Sequence, residues 1–173
     1  NLSIICFNEK QWIGNGLVIP SGPLRENFSA LKRANCVIIN GKKNTDIENK
    51  ILNKNKEIKI FYMKYKAQNS DEFKNKKVIA FAGIGYPENF FNLLKDNKIN
   101  VTEEIKFPDH HKYSEKELEN LINKTKKNND ILITTEKDYF RIIKSHKKNI
   151  NYLKIKTEIE NRNQFIDEIK KII

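Results

Sequence analysis

The chain has 173 residues, enough for one ordinary domain or a domain with an appendage. Its apolar content of 38% and mean hydropathy of -0.69 exclude a membrane-spanning or a disordered composition, and they predict a soluble, folded protein with a wet surface. Thirty-three Lys and Arg against 22 Asp and Glu leave a net charge of +11, which points to anionic partners: nucleic acid, anionic lipid or phosphorylated small molecules.

In chain order, "LSIICF" (2–7) reads as a buried strand and "GLVIP" (16–20) as a short extended piece. "PLRENFSALKRA" (23–34) carries Leu24, Phe28 and Leu31 at helical spacing and predicts a helix. "CVIIN" (36–40) is a strand, "TDIENKIL" (45–52) a helix and "IKIFYMKY" (58–65) a strand; "KKVIAFAGIG" (76–85) is a strand running into glycines. "PENFFNLLKDN" (87–97) is a helix with Pro87 at its favoured first position, followed by the strand "VTEEIKF" (101–107). Ser114 and Glu117 have capping-box spacing and start a helix over 114–128. "DILITT" (130–135) is an apolar strand, "TEKDYFRIIK" (135–144) a short helix, "NYLKIKTEI" (151–159) a strand and "NQFIDEIKKII" (163–173) a closing helix.

This alternation predicts a layered α/β fold with a largely parallel sheet and flanking helices, because parallel neighbours need helical crossovers. The stretch "KAQNSDEFKNKK" (66–77) is the expected linker between an N-terminal portion, 1–65, and a C-terminal α/β domain, 78–173. Cys6 and Cys36 have no zinc-like spacing and read as small buried residues in a reducing compartment.

Ligands of an open α/β sheet lie beyond the carboxyl ends of its strands. Three polar segments follow predicted strands there: "GIGYPEN", "PDHHKYS" and "TTEKDY". Gly83 and Gly85 either open a helix N-terminus to a phosphate or anion, or serve a tight turn by sterics alone. Thr135, Glu136 and Asp138 are explained by a capped helix start; Lys137 opposes the helix dipole, so it calls for an anionic partner or a salt bridge. In "PDHH" adjacent histidines diverge and no further ligand has metal spacing, so direct metal binding by His is not expected. A His oriented by a carboxylate suits proton handling near neutral pH, and a turn residue is the plainer alternative. The chain has no Walker A pattern: Gly41-Lys42 is followed by Lys43, and Cys36 stands where the first glycine belongs. Aromatic residues such as Tyr62, Tyr86 and Phe140 are not organised into a nucleic-acid module, so no nucleic acid is expected; the alternative from another class is a non-catalytic basic α/β module that binds RNA or an acidic partner.

Taken together, "IPSGPLRE" (19–26), "SALKRANCVIING" (29–41), "FAGIGYPENFF" (81–91), "FPDHHKYSEKE" (107–117) and "LITTEKDY" (132–139) resemble the tetraacyldisaccharide 4'-kinases of lipid A biosynthesis, in that family's order and spacing. The resemblance implies a P-loop kinase-like fold of which this chain is the C-terminal part, with 1–65 as the remainder of the kinase core. It implies ATP-dependent phosphorylation of the 4'-hydroxyl of a tetraacyldisaccharide 1-phosphate, with ATP and Mg2+, at the cytoplasmic face of the inner membrane. Carried over by motif, His110 is catalytic with Asp109 supporting it, Arg25 binds the anionic lipid head group and Glu26 organises Mg-ATP. His111 carries no implied role. The implied partners are the lipid A disaccharide precursor, an anionic membrane surface and an N-terminal half bearing the Walker A loop. Without that half, the chain is expected to bind ATP poorly and to turn over no substrate.

Overall fold

The computed structural model describes residues 1–173. It shows an α/β chain with two largely parallel, helix-flanked sheets, divided into two compact units: residues 1–64 with 157–173, and residues 65–156.

In the first unit, β1 (Ile4–Asn8), β2 (Cys36–Asn40) and β3 (Lys59–Ala67) pair in parallel, and β8 (Ile155–Ile159) lies beside β3. β2 is central, so both of its faces are apolar. Val37 and Ile39 meet Ile47 and Ile51 of α1 (Thr45–Leu52), while Cys36 and Ile38 meet Phe165 and Ile169 of α5 (Arg162–Lys170). Asn44 starts α1 by accepting from the N–H groups of Asp46 and Ile47.

In the second unit, the sheet runs β5 (Asn100–Lys106), β4 (Lys77–Ala82), β6 (Ile131–Thr135), β7 (Asn151–Leu153), all parallel. Successive β4 side chains point to opposite faces, as a strand dictates. Val78, Ala80 and Ala82 pack with Phe90, Phe91 and Leu94 of α2 (Pro87–Asp96); Ile79 and Phe81 pack with Leu118, Leu121 and Ile122 of α3 (Glu115–Asn128). Fully burying side chains such as Phe81 and Phe91 is worth about 1.5–3 kcal/mol each. The chain leaves β4 for β5 on one side, then crosses back to β6 on the other. The strand order therefore reverses at β4, which is where an open parallel sheet forms its crevice.

Several expected elements are different. The helix over 23–34 is reduced to a 3-10 turn over Phe28–Arg33, because Leu24 uses its N–H on Leu17 and its carbonyl on Ile19, in a bridge that replaces helical bonds. Residues 16–20 accordingly form turns and that bridge rather than a strand. Residues 151–159 are two strands, β7 and β8, which belong to different sheets. The expected linker 66–77 is structured: Ala67 ends β3, Phe73 is buried in the core of the second unit, and Asn69 bonds the Tyr152 carbonyl and the Lys154 N–H. The expected domain 78–173 loses its last residues, since 157–173 belong to the first unit. Composition misses both because a Lys- and Asn-rich segment still folds when one apolar residue and one amide find partners. Cys36 is buried as expected, whereas Cys6 is exposed.

Candidate active site

Three loops meet at the carboxyl edge of the second sheet: residues 83–86 after β4, residues 107–113 after β5, and the junction of β6 with α4 (Glu136–Arg141). The last of these is fixed by Thr135, which caps α4 by accepting from the Asp138 N–H. This turns Asp138 inward, where it has no exposed surface.

A buried carboxylate must be fully paired. Asp138 Oδ2 accepts from the Gly83 N–H at 2.9 Å and from the Thr135 hydroxyl at 2.8 Å, and Oδ1 faces Arg141 Nη1 at 3.5 Å. Gly83 completes the junction by accepting at its carbonyl from the His110 N–H at 3.1 Å and from Arg141 Nη1 at 3.5 Å. Gly83 is required for space: an added Cβ would lie 2.8 Å from Tyr113 Oη and 3.1 Å from His111 Cβ. Gly85 has a looser environment, with Asp109 Oδ2 at 3.4 Å from such a Cβ. Neither glycine has a positive φ; Gly83 is needed for the close approach of the 107–113 loop. The Gly83 N–H is committed to Asp138, which takes it out of the set of candidate anion contacts.

The paired histidines diverge. His111 stacks on Phe107 with ring centroids 4.7 Å apart, and its Nε2 lies 3.1 Å from Glu117 Oε1. It is a structural residue that joins the loop to the cap of α3, where Ser114 and Glu117 form the predicted capping box. His110 turns outward, with 70% of its side chain exposed, and its backbone takes a left-handed φ of 60°. Its Nδ1 lies 3.0 Å from Arg141 Nη2 and its Nε2 3.5 Å from Lys137 Nζ. Asp109 Oδ1 accepts from the His110 N–H at 2.9 Å, and its Oδ2 is 3.8 Å from His110 Nε2. Nearby, Tyr113 buries its hydroxyl with no hydrogen-bond partner; that burial, and the Asp138 carboxylate beside it, push the phenol well above its usual range.

Asp109, His110, Gly83, Gly85 and Lys137 are thus brought together in the second unit. Asp138 and Arg141 belong with them. Asp138 was accounted for as a helix-start carboxylate, and only its total burial reveals the further role. Arg141 carried one signal, as one of four arginines in a chain that otherwise favours lysine. The result is an exposed imidazole ringed by a guanidinium, an ammonium and a carboxylate, able to hold an anion and to place a proton.

Arg25 and Glu26 lie in the first unit. Both border a cleft of about 420 Å3 between β1 and residues 23–33, floored by Phe7, Trp12 and Phe28. Arg25 is exposed there, and Glu26 pairs with Arg33. No group of three or more His, Cys, Asp or Glu side chains is placed to hold a metal ion. No helix is long and apolar enough to cross a membrane.

The family model for tetraacyldisaccharide-1-P 4'-kinase matches residues 1–173. Among curated proteins, the tetraacyldisaccharide 4'-kinase of Pelagibacter ubique is 39% identical over 175 residues, covering 99% of this chain and 56% of that protein. Those of Rickettsia bellii and Rickettsia akari are 38% and 35% identical, each covering 99% of this chain and 52% of theirs. The chain therefore spans about half the length of the curated relatives it matches. No solved structure matches it.

Proposed function

Because the chain belongs to the tetraacyldisaccharide-1-P 4'-kinase family, we propose that it forms the C-terminal portion of a lipid kinase that transfers the γ-phosphate of ATP to the 4'-hydroxyl of a tetraacyldisaccharide 1-phosphate, in lipid A biosynthesis. The observation that carries this reading is the exposed His110 imidazole at the sheet edge, with Arg141, Lys137 and Asp109 around it. Phosphoryl transfer asks a protein for positioning and charge neutralisation more than for covalent chemistry. Lys137 supplies positive charge toward a phosphate, and His110 handles or holds a proton near the attacking hydroxyl, together with a carboxylate from the other half of the longer protein. Asp109 supports His110. In the first unit, Arg25 is assigned to the anionic lipid head group.

ATP and Mg2+ are assigned mainly to that other half, which carries the phosphate loop in this reading. Glu26, already paired with Arg33, acts at most on the nucleotide end. Bound Mg2+ supplies charge neutralisation at the β- and γ-phosphates. The basic balance of the chain, +11, suits a peripheral position at the anionic cytoplasmic face of the inner membrane.

The test is His110→Ala in the full-length protein, assayed with ATP and the tetraacyldisaccharide 1-phosphate. Loss of an acid-base group lowers kcat by about 10²–10⁴-fold. Stability is expected to change little, because the side chain is largely exposed. Turnover near that of the wild type sinks the assignment.

A further inference from the structure

We propose that Arg141 is a positioning residue, held by Asp138 and Gly83, that keeps the neutral His110 imidazole in the tautomer with its proton on Nε2. The proposal rests on the reading of His110 as a residue of the phosphoryl-transfer site.

A guanidinium offers five N–H donors and no acceptor, and it stays charged. With Arg141 Nη2 at 3.0 Å, His110 Nδ1 has to offer its lone pair, and a neutral ring then carries its proton at Nε2. Two features on the Nε2 side bear on this. Asp109 Oδ2, at 3.8 Å, is a carboxylate that favours an N–H; Lys137 Nζ, at 3.5 Å, is a cation that favours a lone pair. The Arg141 contact is the shortest of the three and decides between them.

Arg141 is not free to swing away. Only 26% of its side chain is exposed, and Nη1 lies 3.5 Å from both Asp138 Oδ1 and the Gly83 carbonyl. Asp138 is itself immobilised, since its other oxygen is filled by the Gly83 N–H and the Thr135 hydroxyl. His110 has the opposite character: its ring is mostly exposed, so packing does not set its orientation. Its backbone is pinned in a left-handed conformation by the bond from its N–H to the Gly83 carbonyl. Gly83 thus grips the backbone of His110 and, through Arg141, its ring. The consequence is directional: from the neutral state His110 presents a donor at its exposed nitrogen and does not accept a proton there.

The experiment uses the full-length protein labelled with 15N-histidine, at pH about 8, above the ordinary imidazole range. Nitrogen shifts and two-bond couplings read the tautomer, with the His110 signals assigned by their loss in His110→Gln. The wild type is expected to show one neutral tautomer, protonated at Nε2. Arg141→Ala is expected to give a mixture, and Arg141→Lys to recover part of the Nε2–H form. In the kinase assay, Arg141→Ala is expected to lower kcat on the order of tenfold to a hundredfold, with KM within about twofold. A wild-type His110 that is mixed or protonated at Nδ1 overturns the proposal without any variant; so does an Arg141→Ala protein with an unchanged tautomer. Full turnover in His110→Ala instead defeats the functional reading and leaves the tautomer measurement standing.

Discussion

Gly83 and Asp138 are 55 residues apart in sequence, and the 2.9 Å bond from the N–H of one to the carboxylate of the other joins the loop after β4 to the first turn of α4. The same glycine receives His110 and Arg141 at its carbonyl. The backbone of a single residue therefore ties together the three loops of the site. Asp138→Ala is expected to destabilise the protein by about 3 kcal/mol, because it strips the partner from a buried N–H and from a partly buried guanidinium. Urea denaturation of variant and wild type measures this, and a loss below about 1 kcal/mol would show that the junction is held by other contacts.

The two glycines of "GIG" are predicted to behave differently. Gly83→Ala places a methyl group 3.2 Å or less from Tyr113 Oη, His111 Cβ and the Pro108 carbonyl, so the 107–113 loop has to move. Overpacking of this kind costs about 1–3 kcal/mol, and the moved loop carries His110 out of place. Gly85→Ala meets only Asp109, at ordinary contact distance, and is expected to stay within about 0.5 kcal/mol of the wild type. Paired melting curves and kinase assays test the contrast; equal effects at the two positions contradict it.

Glu117 links the site loop to stability at low pH. Its carboxyl is held below the usual glutamate range, first by the Ser114 hydroxyl, then by the Ser114 N–H, with His111 adding to both. A carboxyl depressed in the folded state contributes stability that is fully present above its unfolded value, about 4.3, and is lost as pH falls through the lower folded value. The wild type should therefore lose more stability than Glu117→Gln between neutral pH and pH about 3. Denaturation midpoints across that range provide the check, and parallel curves for the two proteins would remove the capping box as a source of acid sensitivity.

Much of the second unit is legible locally. The periodicity of "KKVIAFAGIG", the Pro87 start of α2, the Ser114–Glu117 box and the Thr135 cap all state their element in a few neighbouring residues, and each is found. The first unit is less so, because Leu24 gives its backbone to Leu17 and Ile19, residues no helical pattern would nominate. Strand 151–159 misleads for a related reason. Its alternation is continuous, and only pairing partners reveal that β7 joins β6 while β8 joins β3.

The amino-acid sequence alone determined the α/β alternation, the helix starts and the three polar segments beyond the strands, since each depends on contacts within a turn or a pleat. The tertiary structure decided what those segments do to one another. Burial turned Asp138 from a helix-start carboxylate into the anchor of Gly83 and Arg141, and the same packing sent His111 inward and His110 out. The contacts of Gly83 with Asp138 and Arg141, and of His110 with Lys137 and Arg141, join residues 27 to 58 apart, which no local pattern encodes.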